Sequence, residues 1–158
     1  SCALQSDLSI SFDKSLCKEP VEASIGKISV LLVEPNKYPK MIEIDDTLEA
    51  MQEVVGGDIE EYMPFEDEVA IICNEEGKIT GMAPNRAVYE ENSREMLDII
   101  CGKFFVAYAP FEAERFQSLP PDLAEKYREK FKYPERFMRV NNEIVAVPFK
   151  PVRADKER

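Results

Sequence analysis

The sequence contains no histidine and no tryptophan. Without histidine the usual general base near neutral pH is missing. Ser-His-Asp and Cys-His catalysis and His-containing zinc sites are excluded with it. Cysteine is scarce. Cys2, Cys17, Cys73 and Cys101 form no C-x-x-C pair, which disfavours a structural zinc site. Cys73 and Cys101 each close an apolar run, Ile71-Ile72-Cys73 and Ile99-Ile100-Cys101, and read as buried reduced thiols. Burial raises a thiol pKa, so Cys73, with no histidine to activate it, makes a poor nucleophile. Cys2 and Cys17 flank a strand-like segment, and their pairing as a disulfide stays open. No apolar run reaches the ~20 residues of a membrane-spanning helix. Ser1 to Ile10 lacks the basic end and apolar centre of a signal peptide, so a cytoplasmic protein is the expectation.

The most informative absence is local. Met41 to Gly77 contains no Lys or Arg, yet it holds thirteen of the 31 acidic residues. The remainder carries 18 acidic and 20 basic residues, so the net charge of -11 originates in this one stretch. The chain is otherwise ordinary. Its 158 residues suit one domain with a sizeable core, and 44% hydrophobic content is that of a globular protein.

Taken in order, Leu8 to Phe12 alternates apolar and polar residues like a half-buried strand. Lys18 to Gly26 reads as a linker, giving an N-terminal extension over 1–26, a domain over 27–150 and a tail over 151–158 that frays. Lys27 to Val33 is a β-rich apolar run. With a turn at Glu34 to Pro39 and a strand at Met41 to Ile44 it forms a hairpin. A helix follows, with Asp46 as cap, Glu49 three residues later, an apolar stripe of Leu48, Met51 and Val55, and Gly56 as its stop. Asp58 to Met63 and Val69 to Cys73 read as strands. Asn74 to Lys78 is a turn before a short Ile79-Thr80 segment. Gly81 to Ala87 and Glu90 to Arg94 read as loops. Met96 to Ala109, interrupted at Gly102, is one bent strand or two. Pro120-Pro121 opens a second helix with the stripe Leu123, Tyr127 and Phe131, ended by Tyr133-Pro134. Ile144 to Val147 is a last strand after the Asn141-Asn142 turn. The expected fold class is α+β: a mainly antiparallel sheet with two helices in a single domain.

Several of these motifs carry a resemblance. They are Leu32-Val33-Glu34-Pro35, Leu48-Glu49-Ala50-Met51-Gln52 with Val55-Gly56-Gly57, Asn74-Glu75-Glu76-Gly77-Lys78, and Pro84-Asn85-Arg86-Ala87. From Lys27 to about Phe137 the chain resembles a family of uncharacterised proteins of plasmids, conjugative elements and phages of Gram-positive bacteria, often found beside YodL-like or LtrC-like domains. The resemblance implies a mobile-element or phage origin. It implies no reaction and carries over no catalytic residues.

Two candidate sites follow. One is an acidic face built from Asp58, Glu60, Glu61, Glu66 and Asp67, able to capture a basic partner protein such as a DNA-processing or defence protein. Ordinary surfaces mix charge signs, although a merely solvated surface is the competing reading. The other is a loop cluster of Gly57, Asn74, Glu75, Asn85 and Arg86, whose polar groups suit a small molecule or nucleotide. Turn chemistry, with Arg86 neutralising the acidic face, is the alternative there. The glycine spacings of a P-loop or dinucleotide fingerprint are missing, so no cofactor is expected. Asp45-Asp46, Glu66-Asp67-Glu68 and Glu75-Glu76 offer oxygen ligands for a divalent cation, but no D-x-D-x-D-G loop arranges them. Tyr127, Phe131 and Phe137 suit a base-stacking platform or, more simply, core, and the net charge opposes direct nucleic-acid binding. The resulting expectation is a non-enzymatic acidic binding protein, with a small-molecule module as the alternative.

Overall fold

The computed structural model describes residues 26–151. The expected Leu8 to Phe12 strand, the Cys2–Cys17 question and nearly all of the tail lie outside them. Nine strands run in chain order: β1 (Lys27–Val33), β2 (Lys40–Asp45), β3 (Ile59–Tyr62), β4 (Val69–Asn74), β5 (Pro84–Tyr89), β6 (Met96–Cys101), β7 (Phe104–Tyr108), β8 (Glu135–Val140) and β9 (Glu143–Pro148). Helix α1 (Leu48–Val55) lies between β2 and β3, and α2 (Pro121–Lys130) between β7 and β8. The class is α+β, mainly antiparallel sheet with two helices among the described residues.

A five-stranded antiparallel sheet in the order β2-β1-β7-β4-β3 forms the centre. Alternation along its strands sends side chains to two faces, both apolar. Ile28, Val30, Ala70, Ile72, Phe105 and Ala107 point to one face, where Met51 and Val55 of α1 cover them. Leu31, Val33, Val69, Ile71, Phe104 and Val106 point to the other, beneath Tyr127 and Phe131 and beneath Val88 and Ile100 of the β5–β6 hairpin. Burial on both faces explains why β4 and β7 read as unbroken apolar runs.

Local signals account for most boundaries. Gly56 ends α1 with φ +82°, and its N–H donates to the Gln52 carbonyl at 2.8 Å, a left-handed turn that glycine adopts without Cβ strain. Pro120 precedes α2, whose first position is Pro121. Asn141 and Asn142, with φ 52° and 69°, form the two-residue turn between β8 and β9.

Several expectations need correction. The α1 cap is Thr47, whose Oγ1 accepts the Ala50 N–H at 3.1 Å, while the Asp46 carboxylate instead binds Arg115. Leu48 is 53% exposed, so the buried stripe is Met51 and Val55 alone. The expected Gly81 to Ala87 loop is half strand, because β5 begins at Pro84 and runs along β6 with irregularities that accommodate the proline. Ile79-Thr80 belongs to the turn after β4. Met96 to Ala109 is two strands in different sheets, separated at Gly102. Strand β8 was not anticipated, because Glu135 to Val140 mixes charged and apolar residues without a clean period.

Candidate functional site

The described structure divides the loop cluster. Gly57, Asn74 and Glu75 come together. Asn74 donates to the Val55 carbonyl at 3.1 Å and accepts the Glu76 N–H at 2.7 Å, tying the end of α1 to the end of β4. A Cβ on Gly57 would lie 2.8 Å from Asn74 Nδ2, so any side chain there must push the Asn74 amide aside. The Glu75 N–H donates to the Asp58 carbonyl at 2.9 Å.

Asn85 and Arg86 sit elsewhere and are each only 1% exposed. Asn85 donates to the Val33 and Gly102 carbonyls at 3.0 and 2.9 Å. Arg86 Nε donates to the Phe131 carbonyl at 3.0 Å, Nη2 to the Lys37 carbonyl at 2.8 Å, and Nη1 to Asn85 Oδ1 at 2.9 Å and the Glu34 carbonyl at 3.4 Å. Burial lowers the guanidinium to about 10, still charged at neutral pH, and Glu135 favours that charge. This cation neutralises no acidic surface. It joins β5 to the β1–β2 turn and to the end of α2. The Pro84-Asn85-Arg86 motif is therefore scaffold, because a buried guanidinium must have its donors satisfied.

The acidic face is divided as well. Glu60 and Glu61 are neighbours on β3, so they project to opposite sides of the sheet. Glu60 opposes Cys73 and lines a groove with Lys78 and Asp98, which are themselves ion-paired. Burial pushes the Cys73 thiol up to about 12, with Glu60 adding to the effect. Glu61 opposes Ile72 and lines a different groove. Asp67 accepts from Lys126 Nζ at 2.6 Å and Tyr127 Oη at 2.8 Å, and those bonds hold its carboxyl below the ordinary value. Asp58 accepts from Gln52 Nε2 at 3.2 Å, and the Glu66 N–H donates to Glu91. Asp45 and Asp46 are ion-paired with Lys27 and Arg115. Among the described residues, no three Cys, Asp or Glu side chains are grouped to hold a metal ion. No described helix is long and apolar enough to cross a membrane.

One site survives this dispersal, and it centres on the outer edge of β3. Strand β3 ends the central sheet. The Glu75 N–H bond to the Asp58 carbonyl marks that opposed pair as hydrogen-bonded. Alternation then turns Glu60 and Tyr62 toward β4 and leaves the backbone groups of Ile59 and Glu61 facing outward. Beside this edge runs a groove of about 470 Å³. Leu48, Met51, Ile59, Met63, Phe111 and Phe116 supply its apolar surface, and its charged rim is Glu61 and Glu114 with the Asp46–Arg115 ion pair, a net negative set. Leu48 and Phe111 are 53% and 72% exposed. Arg115 contacts Asp46 through two nitrogens, at 3.0 and 2.7 Å, and so anchors the Phe111-bearing loop to the start of α1. Sequence reasoning missed Phe111 and Phe116. The signal available was an aromatic residue among charged neighbours, Pro110-Phe111-Glu112-Ala113-Glu114.

No curated protein and no solved structure matches the chain. A family model described as a domain of unknown function, DUF3846, matches residues 28–132. That span runs from β1 through the end of α2, including the β3 edge and its groove and leaving out β8 and β9. The chain belongs to the family of the domain of unknown function DUF3846.

Proposed function

We propose that the protein is a non-enzymatic binding module that takes a basic, extended segment of a partner protein along the outer edge of β3. One observation carries this reading. The outward backbone groups of Ile59 and Glu61 lie beside an apolar groove with an acidic rim. A segment adding to the edge would gain main-chain hydrogen bonds, and its alternate side chains would enter the groove. Lysine or arginine at the intervening positions would meet Glu60 on the opposite face, while Glu61 and Glu114 flank the positions that enter the groove. The resemblance to modules of plasmids, conjugative elements and phages supports a mobile-element origin, and within this reading the partner is a cytoplasmic DNA-processing or defence protein. A chain with a net charge of -11 suits a basic protein better than a nucleic acid.

The test is fluorescence anisotropy with a labelled peptide of alternating Lys and Val. Affinity should fall steeply with added salt. Glu61→Pro removes an outward N–H and leaves the β3–β4 ladder intact, so it should weaken binding at least about tenfold in a folded protein. Glu61→Gln separates the loss of the carboxylate from the loss of the donor. Affinity indifferent to salt, to Glu61→Pro and to Lys at positions 60 and 61 refutes the reading.

A further inference from the structure

We infer that the chain forms a homodimer in which β9 pairs antiparallel with β9 of a second copy. This rests on the β8–β9 hairpin and is independent of the β3 edge.

The sheet edges of the molecule differ in kind. Edge strand β2 carries Lys40, Glu43 and Asp45, and edge strand β3 carries Glu60 and Glu61. Charges on an edge discourage pairing with an apolar or like-charged strand, which leaves β3 to a basic segment. Strand β9 pairs only with β8 among the described strands, and Ile144-Val145-Ala146-Val147 holds no charge. Ile144, Val145 and Val147 are 45%, 38% and 39% exposed, and Met138 and Val140 of β8 are 47% and 45% exposed. A two-stranded hairpin alone is marginal in water and needs a third strand or a packing surface.

The hydrogen-bond phase of β9 is set at both ends. The two-residue turn makes Val140 and Glu143 a hydrogen-bonded pair. Phe149 N–H donates to the Pro134 carbonyl at 2.8 Å at the other end. Between them, the backbone groups of Ile144 and Ala146 face away from β8. Pro148 has no N–H and closes that row. The outer edge is thus a short ladder with a defined end.

Charge selects the occupant and its direction. The strand begins at Glu143 and is followed by Lys150. Antiparallel pairing of two copies brings the acidic end of each toward the basic end of the other. The contact is isologous, so it closes as a dimer and does not propagate. It joins two hairpins into one four-stranded sheet, and the apolar strip of Met138, Val145 and Val147 becomes continuous across it. The hairpin lies beyond residues 28–132, so the dimer is built by an element outside the span matched to the family.

Sedimentation velocity of the full chain over a concentration series tests this. A species of twice the 18.1 kDa chain mass is expected, dissociating on dilution. Ala146→Pro removes an outward N–H from each copy and spares the β8–β9 ladder, so it should weaken association at least about tenfold. Val145→Lys and Val145→Asp should each be monomeric, and their mixture should recover dimer, which a misfolded variant would not do. Circular dichroism confirms the fold of each. A wild-type chain that stays monomeric, grows into open-ended oligomers, or dimerises unaffected by all three substitutions overturns the inference.

Discussion

Arg86 Nε donates to the Phe131 carbonyl at 3.0 Å, across 45 positions of sequence, and so ties the first residues of β5 to the last turn of α2. The same guanidinium reaches the Lys37 carbonyl at 2.8 Å. One buried side chain therefore holds three separate segments. Arg86→Leu leaves several carbonyls without donors and should cost roughly 3 kcal/mol or more. Thermal melting should fall by about 6–12 °C. Arg86→Lys should restore only part of this, because an ammonium lacks the planar fork that reaches separated carbonyls. A variant melting like wild type would show that the contacts are dispensable.

Gly57 faces the Asn74 amide at 2.8 Å from where a Cβ would stand. Gly57→Ala should displace Asn74 from the Val55 carbonyl and cost about 1–2 kcal/mol in chemical denaturation. Combining it with Asn74→Ala should add little further, since both changes break the same bond.

Asp67 supplies a pH dependence whose sign follows from its partners. The bonds from Lys126 and Tyr127 hold its folded pKa below the ordinary 3.8. The carboxylate therefore contributes in full above 3.8 and loses its contribution as pH falls through the lowered folded value. Its side chain is 31% exposed and that of Lys126 49%, so solvent screening keeps the effect to no more than about 1 kcal/mol. Denaturation curves should show Asp67→Asn less stable than wild type at about pH 7, with the gap closing in acid. A constant gap across that range contradicts the assignment.

Phe111 separates binding from folding. At 72% exposed it contributes little to the core, so Phe111→Ser should leave stability within about 0.5 kcal/mol. The same change should weaken the alternating Lys-Val peptide several-fold, because it strips apolar surface from the groove beside β3. Unchanged peptide affinity would remove Phe111 from the site.

Much of the fold was legible locally. The apolar run of β1, the glycine after Val55, the Pro120-Pro121 pair that opens α2 and the Asn141-Asn142 turn each identified an element by its own chemistry. Strand β5 was hidden because Pro84 suppresses strand signals, and Asn85 and Arg86 look like surface residues until their partners are known. The candidate site was less legible. Strand alternation alone places Glu60 and Glu61 on opposite faces, so the division of the acidic face was available from period two. The apolar groove was not, since Leu48, Ile59 and Phe111 come from three separated segments.

The sequence by itself determined the class of the fold, most element boundaries and the concentration of negative charge between Met41 and Gly77. These are local quantities, set by periodicity, caps and composition. Only the tertiary structure decided that β3 is an edge, that Asp46 and Asp67 are paired, and that Arg86 is buried on carbonyls. Each depends on which distant segments meet, as when Leu31 of β1 pairs with Val106 of β7. Long-range pairing is selected by burial of the whole core at once, and no short window of residues contains it.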